Sequence, residues 1–153
     1  IYPDATFVHC HRDPRTAVAS FTSLLQVARS MFSSKVDTTE MATDYLDFWA
    51  RLSELNLEAR KRPGLRIVDV GYERIRDDIE GVIEEIYAAG GRTVSDEARA
   101  AFRRYDESRS ATHFGVHQYD PDGYGLTRAR VDTAFATYRA AFPQFSTSQG
   151  AAS

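Results

Sequence analysis

The stretch Ala5-Thr6-Phe7-Val8-His9-Cys10-His11-Arg12-Asp13-Pro14 decides how this chain is read. Thr6, Phe7 and Val8 favour extended backbone, and residues 5–9 form a near-continuous apolar run. Such runs suit a strand covered on both faces of a parallel sheet. Asp13 is a good helix N-cap and Pro14 a favoured first helical residue. A strand, a tight turn and a capped helix are therefore predicted in direct succession. The helix is expected from Pro14 to about Arg29, with Val18, Phe21, Leu24, Leu25 and Ala28 at helical spacing.

Outward from this stretch, Ser30 to Thr38 reads as a loop and Thr39 to Lys61 as a longer helix. Its predicted buried stripe is Met41, Tyr45, Phe48, Leu52, Leu55 and Ala59, and Pro63-Gly64 ends it. Leu65 to Val70 reads as a second strand. A third helix runs from Asp77 to Ala89 and stops at Gly90-Gly91; Ser95 caps a fourth, to about Ser108. Ser110 to Leu126 is a loop rich in His, Tyr, Gly and Asp, and Thr127 caps a last helix to about Phe142. Residues 143–153 read as a small, polar, disordered tail after a single domain, 1–142.

Strands joined through helices indicate an α/β protein with a parallel sheet. Two strands alone make a poor core, because they leave long edges unpaired. The chain also starts at Ile1, without methionine, and enters an apolar run almost at once. The expectation is a piece of a longer protein whose preceding strands complete the sheet.

The 153 residues are 42% hydrophobic and 27% charged, ordinary for a folded globular domain. A net charge of −3 argues against a general nucleic-acid binder. No apolar run is long enough for a membrane helix. The single Cys10 forms no internal disulfide, which suits a reducing, cytoplasmic setting. Oligomeric state is left open.

Arg12 falls at the carboxyl end of the predicted strand, where open α/β sheets place their ligands. A guanidinium grips phosphate through two parallel hydrogen bonds. Ser20, two helical turns on, is within reach of the same phosphate if the helix passes it. On residues alone, a surface arginine and a solvent-facing serine explain the pattern as well.

The segment Tyr2 to Pro14 with Ser20 resembles the 3′-phosphate motif of sulfotransferases that use 3′-phosphoadenosine 5′-phosphosulfate (PAPS). Val68-Asp69-Val70-Gly71-Tyr72-Glu73-Arg74-Ile75 is similar to that family's second strand ending in Tyr-Glu. His117-Gln118-Tyr119-Asp120 to Tyr124-Gly125-Leu126 resembles its late loop, with Tyr124 in place of the usual Phe and an Asp-Pro-Asp-Gly insertion. The resemblance spans roughly Tyr2 to Phe142. It implies a P-loop NTPase-like sulfotransferase fold, with Arg12 and Ser20 holding the 3′-phosphate of PAPS, Tyr72 against adenine, and His117 in the cofactor site. PAPS is the implied co-substrate and no metal is implied. The acceptor would be a hydroxyl or amine on a small molecule, lipid or carbohydrate. The Gly-rich 5′-phosphosulfate loop and the general base of the family have no counterpart here, so no catalytic residue is assigned. The chain is expected to be the C-terminal portion of such an enzyme, inactive alone. The alternatives are a non-catalytic nucleotide-binding or assembly module, or another P-loop-like transferase such as a small-molecule kinase.

Other constellations weigh less. His11-Arg12-Asp13 mimics a protein-kinase catalytic loop, but Val18 stands where that loop needs Asn. His9 and His11 share one strand face, with Cys10 opposite, and His113 and His117 have a plausible zinc spacing. Ordinary core and loop histidines are the default. Arg60-Lys61-Arg62 and Arg103-Arg104 lie among acidic neighbours and read as solvated faces. Tyr45, Phe48 and Trp49 read as core, with an acceptor pocket as the alternative.

Overall fold

The computed structural model describes residues 2, 4–108 and 120–145. The elements are β1 (Thr6–His11), α1 (Pro14–Ser30), α2 (Thr38–Ala59), β2 (Arg66–Gly71), α3 (Tyr72–Asp77), α4 (Ile79–Ala89), α5 (Asp96–Ser108), α6 (Arg128–Ala134) and α7 (Ala136–Ala141), then a 3-10 turn at Pro143–Phe145. The fold is α/β, as predicted, with β1 and β2 parallel. The chain divides into two compact units, residues 1–11 with 63–117 and residues 12–62 with 118–153.

In the first unit the strands pair in register from Thr6 opposite Arg66 to His11 opposite Gly71. Parallel strands need a long crossover, supplied here by the segment carrying α1 and α2. Side chains alternate across the sheet. Val68 and Val70 are buried with Val82 of α4, and Ile75 and Ile86 pack against them. Strand β1 runs two residues further than predicted, so His11 belongs to it. The expectation that β1 is covered on both faces fails among the described residues, since Phe7 is 52% and Val8 41% exposed. The predicted helix from Asp77 to Ala89 is α4, which starts two residues later, and a short helix, α3, that the sequence reading did not foresee precedes it. Asp78, at φ −147°, breaks the spiral and caps α4 by accepting from Gly81 N at 3.0 Å. Gly91, at φ +69°, then stops α4 as expected. Ser95 Oγ accepts from Ala98 N at 3.2 Å at the start of α5. Helix α5 is tied to α4 by the Arg103–Glu80 and Arg99–Glu84 pairs.

The second unit is helical. Val18 and Ala19 of α1, Ala42 and Leu46 of α2, Leu126, Val131 of α6, Phe135, Tyr138 of α7 and Phe142 form its core. The stripe predicted for α2 is rotated. Met41, Ala42 and Leu46 are buried, whereas Phe48, Leu52 and Leu55 are exposed. Helix α2 starts at Thr38, one residue before the predicted start, and Asp37 caps it by accepting from Thr39 N and Glu40 N. The last predicted helix breaks at Phe135 (φ −101°, ψ 19°), whose ring is buried in the core between α6 and α7. The turn at Pro143–Phe145 lies in the predicted tail, yet Phe145 packs on the core. No helix among the described residues is long and apolar enough to cross a membrane.

Candidate functional site

Arg12 directly follows the last residue of β1 and directly precedes the cap of α1. The cap is built as the sequence predicts. Asp13 Oδ1 accepts from Thr16 N at 3.0 Å and from Thr16 Oγ1 at 3.2 Å. Pro14 takes the first helical position, where its missing N–H costs nothing. The turn carrying Arg12 is thereby locked to a rigid helix start. Ser20 is six residues past Pro14, roughly 9 Å along the axis at 1.5 Å per residue. It shares a face with Thr16 and lies at the edge of the buried arc set by Val18, Ala19, Thr22 and Ser23. Arg12 and Ser20 are both half-buried and belong to the same unit.

Contacts that the sequence reading passed over hold this helix start. Asp13 is buried, and its Oδ2 accepts from Arg139 Nη2 at 3.2 Å. Arg139 also pairs with Asp132 at 3.0 Å. Arg15 Nε donates to Leu126 O at 2.8 Å, and its Nη2 meets Asp122 at 2.6 Å. Sequence gave no signal for these partners, because they lie over a hundred residues away. The Asp-Pro-Asp-Gly insertion noted above thus anchors α1. Tyr124, beside it, donates from its hydroxyl to Gln26 Oε1 at 3.2 Å.

Tyr72 opens α3 immediately after β2, in the first unit, and is 42% exposed. An exposed ring there is able to stack on a planar base. His117 and His113 lie outside the described residues. A groove of about 690 Å³ runs from the end of α1 to the start of α2 and is lined by Arg29, Phe32, Lys35, Glu40, Met41 and Asp44. It includes neither Arg12 nor Ser20.

Among the aromatics weighed above, Tyr45 and Trp49 pack edge-on against Phe21 at 5.1 and 5.4 Å and lie against the core, while Phe48 is exposed. The basic runs are engaged locally. Lys61 pairs with Glu58 at 2.6 Å, and Arg60 donates to Asn56 at 2.9 Å and lies over the Phe142 ring. Arg103 reaches Glu80 with two bonds, at 2.5 and 2.8 Å. These contacts fit charged faces rather than a polyanion site.

The profile of the sulfotransferase family matches residues 1–96, well over half of the sequence. The chain belongs to the sulfotransferase family. Two solved sulfotransferases share its fold. Sulfotransferase STF9 from Mycobacterium avium is 27% identical, with a TM-score of 0.75, over 86% of this chain and 34% of its own. Sulfotransferase STF1 from Mycobacterium tuberculosis H37Rv is 32% identical, with a TM-score of 0.66, over 89% of this chain and 34% of its own. No curated protein matches. The chain thus spans about a third of the length of these solved relatives.

Proposed function

We propose that this chain supplies the 3′-phosphate-binding portion of a sulfotransferase that uses PAPS as donor and a hydroxyl or amine as acceptor. The observation that carries the reading is Arg12 at the strand end, held one residue before the Asp13-capped start of α1, with Ser20 further along the same helix. Arg12 offers a planar pair of N–H donors and a permanent positive charge. Ser20 adds a hydroxyl donor. Together they favour a nucleotide carrying a phosphate on the 3′ position over one without it. Tyr72 is assigned to the adenine face, where a ring that is partly exposed loses little by stacking. In the transfer, the sulfuryl group leaves the phosphosulfate oxygen for the acceptor oxygen or nitrogen. Adenosine 3′,5′-bisphosphate departs, and the acceptor's proton passes to a base. Positioning of the donor is this chain's part in that step.

The test compares adenosine 3′,5′-bisphosphate with AMP by calorimetry. A hydrogen bond to a charged group is worth about 1.5–3 kcal/mol. Arg12→Ala should therefore weaken the bisphosphate by at least about tenfold and leave AMP nearly unchanged, with a smaller loss for Ser20→Ala. Equal losses for both nucleotides would overturn the assignment. Bisphosphate binding by the whole protein without sulfuryl transfer would favour the non-catalytic module.

A further inference from the structure

His9, His11 and Asp69 converge on one face of the β1–β2 pair, in the first unit. His9 stands directly opposite Asp69 in the ladder, and His11 is two residues on, on the same face. His11 Nε2 lies 2.7 Å and His9 Nδ1 3.8 Å from the same oxygen, Asp69 Oδ1. The two imidazole rings are 4.0 Å apart between centroids. One donor atom from each residue falls within 4.8 Å of the other two. The His11 side chain is fully buried, whereas those of His9 and Asp69 are 32% and 29% exposed. Cys10 points to the opposite face and takes no part, as strand alternation requires.

From this geometry we infer a binding site for a divalent transition-metal ion of the zinc type, with His9 Nδ1, His11 Nε2 and Asp69 Oδ1 as ligands. Two imidazoles and a carboxylate are a donor set suited to such ions. Donors at about 2.0–2.2 Å from a tetrahedral ion lie roughly 3.3 Å apart. The 2.7 Å pair must open and the 3.8 Å pair must close by about half an ångström each, a shift asked of the partly exposed His9 and Asp69 side chains. The buried His11 ring fixes one ligand, and the two partly exposed ligands leave an entry path and room for water. In the metal-free state, a proton on His11 Nε2 is held by Asp69. Binding moves that proton to Nδ1 or releases it. This site shares no residue with the 3′-phosphate site proposed for Arg12 and Ser20.

The experiment is a titration of the chelator-treated chain with zinc, by competition against a chromophoric chelator, and with cobalt(II), followed by its visible absorption. One ion per chain is expected. Altering groups that merely orient metal ligands already costs about 10–100-fold in affinity. His9→Ala and Asp69→Asn should each cost at least that much, and Cys10→Ser should cost nothing. His9 is the first variant to make, because its side chain is partly exposed and its loss leaves the buried His11 in place. Circular dichroism of each variant checks the fold. The proposal is overturned if the unaltered chain binds no tighter than His9→Ala. It is equally overturned if affinity follows Cys10, or follows His113→Ala and His117→Ala with His9→Ala silent.

Discussion

Replacing Asp13 tests whether the helix start that presents Arg12 is held as described. Asp13→Ala removes two interactions. The first is the cap, in which Oδ1 accepts from Thr16 N at 3.0 Å and from Thr16 Oγ1 at 3.2 Å. Loss of an N-cap typically costs about 1 kcal/mol. The second is the charged bond from Arg139 Nη2 to Oδ2 at 3.2 Å. Charged hydrogen bonds are worth about 1.5–3 kcal/mol. The contact is long for its kind, and Arg139 keeps Asp132 at 3.0 Å, so the lower value of about 1.5 kcal/mol applies. The expected loss for Asp13→Ala is then about 2.5 kcal/mol, by adding the cap and the charged bond. Asn caps nearly as well as Asp, so Asp13→Asn should lose only the charged bond, about 1.5 kcal/mol. With a urea slope of about 2 kcal/mol per molar, the midpoints should fall by about 1.2 M and 0.7 M. The assay is urea unfolding followed by circular dichroism at a common slope. Identical midpoints for the two variants would remove the cap from the account. A loss below about 0.5 kcal/mol for Asp13→Ala, the size of an ordinary surface change, would refute the buried pairing altogether.

Leu126 is fully buried between α1, α2 and the last helices, so Leu126→Ala should cost about 2–5 kcal/mol in the same assay. Gly125 sits at φ +72°, and an added Cβ would lie 3.3 Å from Thr39 Cγ2. Gly125→Ala should therefore lower the midpoint through roughly 1–2 kcal/mol of left-handed strain. Hydrogen bonds from Arg103, with its charge, hold the Glu80 carboxyl below the ordinary glutamate range. Because that value is lowered by folding, the pair's contribution is complete at neutral pH and fades as pH falls through the folded value. Carboxyl carbon NMR titration should find Glu80 protonating at lower pH than unpaired glutamates, and Arg103→Gln should return it to the ordinary range.

What was legible in the sequence was local. The Asp13 cap, Pro14, the Gly90-Gly91 stop and the caps at Ser95 and Thr127 all act within a few residues, and each is found where the sequence puts it. The stripe of α2 misled because large aromatics outweigh alanine in any hydropathy pattern. The face that packs is built around Ala42 and Leu46, where small side chains let helices approach. The break at Phe135 carries no Pro or Gly, and follows from burying that ring in the core. In the sequence, Arg12 and Ser20 were picked out as candidates through the family resemblance. Asp69 was not, because its meeting with His9 depends on a strand register set between residues sixty positions apart.

The contacts that pin the start of α1 reach far along the chain, since Arg15 bonds a carbonyl 111 residues later and Asp13 a guanidinium 126 residues later. During synthesis at about 5–20 residues per second, the first of these partners emerges roughly 6–20 s after Arg15 itself. The helix that carries Arg12 and Ser20 must wait through that interval without its clamps. Its nascent form relies on the Asp13 cap alone, and the loop-closure entropy falls due only when the last quarter of the chain arrives. The clamped form of this helix is therefore a late event in folding, and a ribosome stalled before residue 126 would display Arg12 and Ser20 without that support.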